Sequence, residues 1–262
     1  MLCVSTQIAR DESLGVFEKM LQSVAFADEL IIFNMERQDA EAKKLFAKYK
    51  AKVIDVKTPK IVEAIRELQI QASSSDWVLV MDCDEVVTAD LAGEIQAITG
   101  NLASCSAYAI GRDNFSLGYP MNHGGWERDY VVRLVRKKDF VSWGTNIHAS
   151  PVVKGSTIKT TSVMQHHKDA NLVQMVQKTN RYSNIEAQQF FASGMAPVSP
   201  VILCRKWIME TLRRGIFKRG LLDKQIGLIQ AMYQGFSVFI SYAKLYEKQI
   251  NKISKMSKSS NL

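Results

Sequence analysis

Three acidic side chains follow a short apolar run in the segment VLVMDCDEVV at 78–87: Asp82, Asp84 and Glu85. An Asp-x-Asp pair at the carboxyl end of a buried strand can hold a divalent cation through oxygen ligands. Such an ion neutralises a bound diphosphate and improves it as a leaving group. The three carboxylates repel one another at neutral pH, so a positive partner is expected nearby. A solvated acidic turn, or an N-terminal cap for a helix at 88–100, is the alternative that this segment alone leaves open.

The first hundred residues predict the elements that position this segment. Apolar runs alternate with amphipathic stretches of helical period, which is typical of a parallel sheet covered by helices on both faces. The predicted strands are 2–8, 29–33, 52–56 and 77–82, and the predicted helices are 12–26, 38–49, 60–73 and 88–100. Ligands of such sheets bind beyond the carboxyl ends of the strands, which is where the acidic segment lies.

The remainder of the chain changes character. Gly, aromatic and β-branched residues between about 104 and 165 predict mixed strands and loops. Helical spacing then predicts three further helices, at 171–193, 201–217 and 221–248. We therefore predict one domain over 1–195 and a basic, amphipathic helical extension over 196–262.

The net charge of +8 is unevenly distributed, since residues 201–262 hold 12 Lys and Arg against 3 Asp and Glu. A basic segment on an otherwise neutral body indicates an anionic partner, either nucleic acid or membrane. The interleaving of aromatic and basic residues that is typical of nucleic-acid surfaces is missing elsewhere in the chain. We therefore expect an anionic membrane surface as partner, and no nucleic acid.

An uncharged stretch at 225–243 raises the question of a membrane-spanning helix. A polar stripe at helical spacing argues instead for an amphipathic helix; its members are Gln230, Gln234, Ser237, Ser241, Lys244 and Lys248. The opposite side is apolar and carries Ile229, Met232, Tyr233, Phe236, Phe239 and Ile240. Such a helix either packs on the body of its own protein or lies in a membrane interface, and the sequence leaves both open.

The cysteines and the N-terminus indicate a cellular compartment. Cys3, Cys83, Cys105 and Cys204 are widely scattered, with no CxxC pair. Reduced thiols in a cytosolic setting are the simplest interpretation of that spacing. The first residues lack the basic and apolar regions of a signal peptide. We therefore expect a cytoplasmic protein that is peripheral on the inner face of the cytoplasmic membrane.

Six segments occur in the order of one family's motifs. They are STQIARDES (5–13), FADELIIFNMERQD (26–39), WVLVMDCDE (77–85), GWERDYVVRLVRK (125–137), NIHASPVVKGSTI (146–158) and HHKDANLVQMVQKTNRYSNIEA (166–187). In these segments the chain resembles the family 2 glycosyltransferases, and more narrowly the branch that includes lipopolysaccharide core β-glucosyltransferases. Three positions depart from the family pattern, because Asp11 replaces Asn, Asn34 replaces Asp and Ala149 replaces Glu.

The resemblance implies an α/β GT-A fold, with a central mixed sheet flanked by helices, and a nucleotide-diphosphate sugar as donor, with a UDP-sugar favoured. It also implies a divalent cation, Mg²⁺ or Mn²⁺, with Asp84 as direct ligand and Asp82 on the ribose or on the hydration shell of the metal. The nucleotide pocket would be lined by Glu12, Asn34 and Asp39. Arg133 is expected to meet phosphate oxygens, since Arg forms bidentate pairs with phosphate; a solvated strand charge is the alternative.

Inversion of the anomeric centre, which the resemblance also implies, requires a carboxylate that deprotonates the acceptor hydroxyl. Asp129 is the first candidate for this base. Glu127 lies two positions away, on the same side if the segment is a strand, and His148 is the third candidate. For each of them a surface charge on a loop is the competing interpretation.

A second set of residues is expected on the acceptor side. Lys178, Arg181 and Tyr182 fall on successive turns of one predicted helix and would face an anionic acceptor; an exposed face with a core tyrosine is the alternative. Trp126 would stack on a sugar ring, although core packing explains it equally well. A metal-ligand role for His166 or His167 is the less favoured interpretation, although a late His completes the metal shell of some GT-A enzymes.

The leading functional hypothesis is a metal-dependent hexosyltransferase, with glucose as the favoured sugar, that acts on a lipid-linked glycan such as the lipopolysaccharide core. A non-catalytic protein that binds nucleotide sugars and retains the fold is the alternative, motivated by the three departures from the family pattern. A nucleotidyltransferase ranks below both, because residues 8–15 lack the Gly-rich, basic loop that it would need after its first strand. The oligomeric state is left open.

Overall fold

The computed structural model describes residues 1–59, 61–100, 105–144, 146, 149–169 and 171–259. The chain forms two compact units. Unit 1 comprises Met1–Asp113 with Arg128–His167, and unit 2 comprises Asn114–Glu127 with Lys168–Leu262. This division differs from the predicted boundary between residues 195 and 196. The helix that the sequence assigned to the end of the first domain, together with a short insert from the middle of the chain, belongs to unit 2.

The first part of unit 1 alternates strands and helices as predicted. Its elements are β1 (Leu2–Ala9), α1 (Leu14–Ser23), β2 (Glu29–Met35), α2 (Ala40–Lys48), β3 (Lys52–Val56), α3 (Glu63–Gln71), β4 (Trp77–Met81), β5 (Glu85–Val87) and α4 (Ala89–Gly100). Side-chain caps define the helix starts: the Ser13 hydroxyl accepts the N–H of Val16, and an Asp39 carboxylate oxygen accepts the N–H of Ala42. Such caps satisfy backbone donors that the first turn of a helix leaves unpaired.

The middle of the chain supplies the remaining strands: β6 (Ala107–Ser116), β7 (Tyr119–Pro120), β8 (Asp129–Arg136), β9 (Phe140–Trp143), β10 (Pro151–Val153) and β11 (Thr157–Asp169). The main sheet runs in the order β3-β2-β1-β4-β8-β6-β11-β5. Its first four strands are parallel, whereas β8 is antiparallel to both β4 and β6, and β11 is antiparallel to β5. The sheet is therefore mixed, with a parallel half that ends at β4.

Alternation along the central strands divides the core of unit 1 between two faces of the sheet. On β4, Trp77, Leu79 and Met81 pack with α1, α2 and α4, whereas Val78 and Val80 pack with Ile70 of α3. Successive side chains of a strand point to opposite faces, and both faces of a parallel sheet are covered by helices. The predicted α/β architecture, a central mixed sheet flanked by helices, is confirmed.

Unit 2 is mainly helical. Its helices are α5 (Leu172–Ala192), α6 (Pro200–Leu212) and α7 (Lys224–Ser259), and a π-helical turn (Arg213–Phe217) and a 3₁₀ turn (Gly220–Asp223) connect the last two. The sequence predicted α6 to extend to residue 217 and α7 to end at 248. No helix in the described ranges combines the length and the apolarity that a membrane crossing requires.

Candidate active site

The acidic segment lies where β4 ends and the chain turns into β5. The carboxylate of Glu85 accepts the N–H of Asp82 at 2.9 Å, and the carbonyl of Asp82 accepts the N–H of Glu85 at 3.2 Å. The two ends of the turn, Asp82 and Glu85, are thus joined by two hydrogen bonds. Glu85 has no exposed surface, so its charge requires partners inside the protein.

Those partners are arginines. Arg133 on β8 donates to Glu85 at 2.7 Å, and Arg112 on β6 donates to the same carboxylate at 3.2 Å. Although burial lowers the pKa of Arg133, the carboxylates of Asp82 and Glu85 outweigh that effect and raise it above the ordinary value. Arg133 is buried between two carboxylates, which differs from the predicted contact with phosphate oxygens.

The same arrangement sequesters Asp82. One of its oxygens accepts from Gln7 at 2.7 Å and from Arg66, and the other accepts from Arg133. Burial by itself raises the pKa of the Asp82 carboxyl, but the charges of Arg133 and Arg66 hold that pKa well below its usual range. The positive partner of the acidic segment is therefore supplied by the protein. These contacts differ from the predicted roles of Asp82 on ribose and metal.

Asp84 has a different neighbour. Its carboxylate lies 3.7 Å from Nε2 of His166, and its carbonyl accepts the N–H of His167 at 2.8 Å. Antiparallel pairing of β11 with β5, in which His166 stands opposite Glu85, produces this proximity. Burial lowers the pKa of His166 to about 4. The imidazole is therefore neutral at pH 7, which is the state in which histidine ligates metals.

The fit of the pair to a divalent cation follows from its donor atoms. A carboxylate oxygen and the lone pair of a neutral imidazole nitrogen, 3.7 Å apart, offer two ligands to one ion. Among the residues that the structure describes, no group of three metal-ligating side chains is present. Mg²⁺ and Mn²⁺ commonly complete their shells with substrate phosphate oxygens and water. Asp84 and His166 thus fit such an ion, whereas Asp82, between two arginines, does not.

The first candidate base, Asp129, begins β8 and is paired with an arginine. Arg112 donates to its two oxygens from Nε at 3.1 Å and from Nη2 at 2.5 Å. The side chain of Asp129 remains 44% exposed, so solvent reaches it. Arg112 therefore joins Asp129 to Glu85, and through Arg133 to Asp82, in one chain of alternating charges.

The other two candidate bases are placed differently. Glu127 lies in a bend before β8 and belongs to unit 2, where its carboxylate accepts the N–H of Gly125 at 3.2 Å. Glu127 and Asp129 were expected to share one side only if the segment is a strand, and that condition is not met because β8 begins at Asp129. His148 lies outside the described residues.

The predicted nucleotide-pocket residues lie in or after the carboxyl-terminal parts of the first two strands. Glu12 accepts the N–H of Ala9 at 2.6 Å, and burial raises the pKa of its carboxyl, to which the charges of Asp84 and Asp82 add. Glu12 therefore lies close to the acidic turn. Asn34 is buried, and its amide donates to the Asp55 carboxylate at 2.6 Å. The carboxylate of Asp39 caps α2 and accepts from Arg37 at 2.7 Å. A nucleotide role for the three residues stays a prediction.

The predicted acceptor-side residues belong to unit 2. The ring of Trp126 contacts two cations, since Nζ of Lys168 is 3.6 Å and the guanidinium carbon of Arg214 is 4.4 Å from its ring centre. Lys178 donates to the carbonyl of Lys168 at 2.8 Å. The guanidinium of Arg181 lies 5.2 Å from the ring centre of Tyr182, which is 48% exposed. Tyr182 is therefore not a core residue, and the acceptor role of the set stays a prediction.

Sequence reasoning missed several residues that build this site, namely Gln7, Arg66, Gln69 and Arg112. A signal was present for three of them. Gln7 interrupts an apolar strand, and Arg66 and Gln69 are spaced by three on the side of α3 that also carries Ile65 and Ile70. Polar groups in such positions are buried only when they have partners, and Gln7, Arg66 and Gln69 do bond one another. Arg112 has no comparable signal.

Comparisons with known proteins agree with the family resemblance. The lipopolysaccharide core biosynthesis glycosyltransferase LpsC of Rhizobium meliloti (strain 1021) is 21% identical over 192 residues, covering 70% of this chain and 68% of LpsC. No family model matches the chain. The predicted resemblance to lipopolysaccharide core glycosyltransferases is confirmed by this relative.

Two solved structures are similar over most of the chain. S. aureus TarS 1-349 covers 96% of this chain and 91% of its own, with 10% identity and a TM-score of 0.42. Glucosyl-3-phosphoglycerate synthase from Mycobacterium tuberculosis, solved with Mn²⁺, uridine-diphosphate and glucosyl-3-phosphoglycerate, covers 74% of this chain and 80% of its own, with 12% identity and a TM-score of 0.41.

Proposed function

We propose that this chain is a glycosyltransferase that moves a hexose, with glucose favoured, from a nucleotide-diphosphate sugar to a membrane-associated glycan of the lipopolysaccharide core type. The observation that carries the proposal is the pair formed by Asp84 and His166 at the carboxyl end of β4. The name of the relative LpsC supports the reaction class and the acceptor. We place the protein on the cytoplasmic face of the membrane, in agreement with its four free cysteines.

The local charge balance supports a donor that carries a diphosphate. Asp82 and Glu85 are neutralised by Arg66, Arg112 and Arg133, and all five groups are held by packing and hydrogen bonds. The third carboxylate of the turn, Asp84, lies 3.7 Å from the imidazole of His166. When bound, a divalent cation held by Asp84 and His166 would offset the negative charge of the diphosphate.

The transfer itself needs one protein base. In the proposed step the acceptor oxygen forms a bond to the anomeric carbon while the bond from that carbon to the diphosphate oxygen breaks. The hydroxyl proton passes to the carboxylate of Asp129, and the nucleoside diphosphate leaves with the electron pair, so the anomeric centre is inverted. Arg112 fixes the orientation of Asp129 by donating to both of its oxygens, and a base held in advance reacts without reorganisation.

Donor binding and turnover by the purified full chain test this proposal. UDP-, ADP- and GDP-sugars are added with and without Mn²⁺, and both the melting temperature and the release of nucleoside diphosphate are measured. We expect a UDP-sugar with Mn²⁺ to raise the melting temperature, because a ligand of the folded state stabilises it. Asp84→Ala should lower turnover by at least ~100-fold. The matched control Asp90→Ala, which removes an exposed carboxylate from the first turn of α4, should leave turnover unchanged.

The alternative hypothesis predicts a different pattern. A non-catalytic protein that binds nucleotide sugars would show the shift in melting temperature but no release of nucleoside diphosphate with any acceptor. Absence of both signals for every nucleotide sugar, with and without Mn²⁺, would exclude the transferase and the binding protein together.

A further inference from the structure

Helix α7 presents its polar stripe to the protein interior. Gln230 and Ser241 are only 3% and 2% exposed. The hydroxyl of Ser241 donates to Glu186 on α5 at 2.6 Å, and Nζ of Lys244 donates to the carbonyl of Asn180, also on α5, at 2.8 Å. Two of the polar residues that the sequence assigned to one side of this helix, Ser241 and Lys244, therefore bind α5.

Part of the apolar side of α7 lies at the surface of unit 2, whereas Phe239 on the same side packs near Trp207 of α6, with ring centres 6.4 Å apart. Met232 is 51% exposed, and Leu228, Ile229 and Phe236 are 47%, 40% and 40% exposed. A surface helix of a globular protein normally turns its apolar stripe inward and its polar stripe to water. The orientation of α7 is the reverse of that pattern along these residues, which is the arrangement expected when a further apolar phase covers the helix.

Exposed apolar side chains continue into the connection before this helix, which we call the α6–α7 turn (residues 213–223). Phe217 and Leu222 are 72% and 62% exposed, and Ile216 and Leu221 are also exposed. Lys218 and Arg219 lie between them and are exposed as well, and exposed Lys224 follows. The turn therefore combines protruding apolar side chains with cations.

Contacts within unit 2 hold the α6–α7 turn in place. Asp223 accepts the backbone N–H groups of Asn122 at 3.0 Å and of His123 at 2.9 Å. The carbonyl of Lys218 accepts the N–H of Gly124 at 2.7 Å. Gly220 is also required at its position, because a Cβ there would lie 2.6 Å from the carbonyl oxygen of Arg214. The exposed apolar side chains are thus presented by a fixed backbone, which reduces the entropy lost on docking.

We propose that the α6–α7 turn and the exposed apolar residues of α7 form a docking surface for an anionic lipid bilayer, with Phe217 and Leu222 inserted below the headgroups and Lys218, Arg219 and Lys224 among them. An amphipathic element that carries basic residues beside large apolar ones binds membranes through both properties. A protein partner fits less well, because Lys is depleted from the centres of protein interfaces. The purpose of this surface rests on the proposed function, since a lipid-linked acceptor is reached at a membrane.

Sedimentation with vesicles tests the surface on the full chain. One set of vesicles is phosphatidylcholine alone and the other contains about one-third phosphatidylglycerol. The wild type should sediment with the anionic set and much less with the neutral one. Phe217→Ser combined with Leu222→Ser should lower the partition coefficient at least ~tenfold, because two inserted apolar side chains are lost. Val141→Ser with Val152→Ser is the matched control, as each of these valines is 52% exposed in unit 1.

The contribution of charge to vesicle binding is tested with a double variant in the α6–α7 turn and a control double variant on α2. Lys218→Glu with Arg219→Glu should abolish the preference for anionic vesicles, and Lys43→Glu with Lys44→Glu, on the exposed side of α2, should preserve it although the net charge changes equally. Equal binding to neutral and anionic vesicles, or equal binding by the Phe217–Leu222 variant and the wild type, would overturn the proposal. So would a dimer in solution that dissociates in that variant, since a second copy would then be the occupant.

Two further measurements keep the result separate from the proposed function. Melting temperatures verify that each variant folds. Release of nucleoside diphosphate from a UDP-sugar in the absence of vesicles should be equal in the wild type and in the Phe217–Leu222 variant. Loss of vesicle binding with retained donor chemistry supports the surface, whereas vesicle binding without any donor chemistry would leave the surface valid and refute the transferase.

Discussion

The carboxylate of Glu85 and the guanidinium of Arg133 are joined by a 2.7 Å hydrogen bond in the interior of unit 1, where Glu85 has no exposed surface. The two charges neutralise each other. Arg133 also pairs with Asp82, and Glu85 also pairs with Arg112. Removal of one partner from such a pair leaves a buried charge without compensation, which costs far more than the pair itself contributes. Glu85, which the sequence left without a role, is therefore central to the stability of the acidic turn.

We expect Glu85→Ala to lower the free energy of unfolding by about 3–5 kcal/mol, because Arg133 and Arg112 remain buried without that carboxylate. Glu85→Gln should cost less, since an amide oxygen still accepts a hydrogen bond. Chemical denaturation of the two variants measures the difference. Glu18→Ala is the control, because Glu18 pairs with Lys48 at the surface and its loss should have a much smaller effect. Equal losses in Glu85→Ala and Glu18→Ala would contradict this account.

Replacement of the proposed base separates chemistry from binding. Asp129→Asn should lower kcat by about 10²–10⁴-fold, the usual contribution of a general base, and should leave donor binding by thermal shift unchanged. Asp113→Asn is a matched control, since Arg128 donates to both oxygens of Asp113 at 2.6 and 3.1 Å, as Arg112 does for Asp129. A normal kcat in Asp129→Asn would show that another group acts as the general base.

The proposed metal pair is tested at its nitrogen ligand. His166→Ala should raise the Mn²⁺ concentration for half-maximal binding, measured by calorimetry with UDP present, by at least ~tenfold, since one of two protein ligands is lost. His167→Ala is the neighbouring control, because its Nε2 lies 3.3 Å from the side-chain oxygen of Gln165. Chelation of the metal should abolish turnover of the wild type. Equal Mn²⁺ binding in both variants would remove His166 from the site.

The sequence predicted the parallel half of the fold because each element there has a local pattern. Strands β1 to β4 are short apolar runs, and the helices between them repeat apolar positions at helical period, so no distant partner is needed to identify them. The middle of the chain was predicted only as mixed strands and loops. The antiparallel pairs of β8 with β4 and β6, and of β11 with β5, join segments far apart in sequence, and no local pattern encodes such pairing.

The same contrast between local patterns and distant contacts explains how much of the candidate site could be predicted. The motif located the acidic turn, but the roles within it depend on residues that approach from other elements. Arg66 and Arg133 are 16 and 51 positions from Asp82, and they neutralise the carboxylate that was expected to face ribose and metal. The orientation of α7 was left open for a related reason. An amphipathic pattern gives the two sides of a helix but not which of them packs on protein, and here Ser241 and Lys244 of the polar side bind α5, while part of the apolar side is exposed.

Acid should weaken the attachment of α4 to β11 through one carboxylate. Glu94 accepts the N–H groups of Thr161 at 2.9 Å and Ser162 at 2.7 Å. Partial burial raises the pKa of the Glu94 carboxyl, but these two hydrogen bonds outweigh it and lower the pKa below the ordinary value. A group whose pKa is lowered by folding adds stability above its unfolded pKa, and that stability is lost as the pH falls through the folded pKa.

We expect Glu94→Gln to lower the free energy of unfolding by about 1–2 kcal/mol at neutral pH, the usual contribution of hydrogen bonds to a charged acceptor. The cost should fall toward zero at an acid pH well below the folded pKa of Glu94, where the carboxyl of the wild type is protonated as well. Urea denaturation of both proteins at the two pH values measures this change, with Glu41→Gln, an exposed glutamate of α2, as control. A cost that is independent of pH would show that shape or packing, rather than the charge of Glu94, stabilises this attachment.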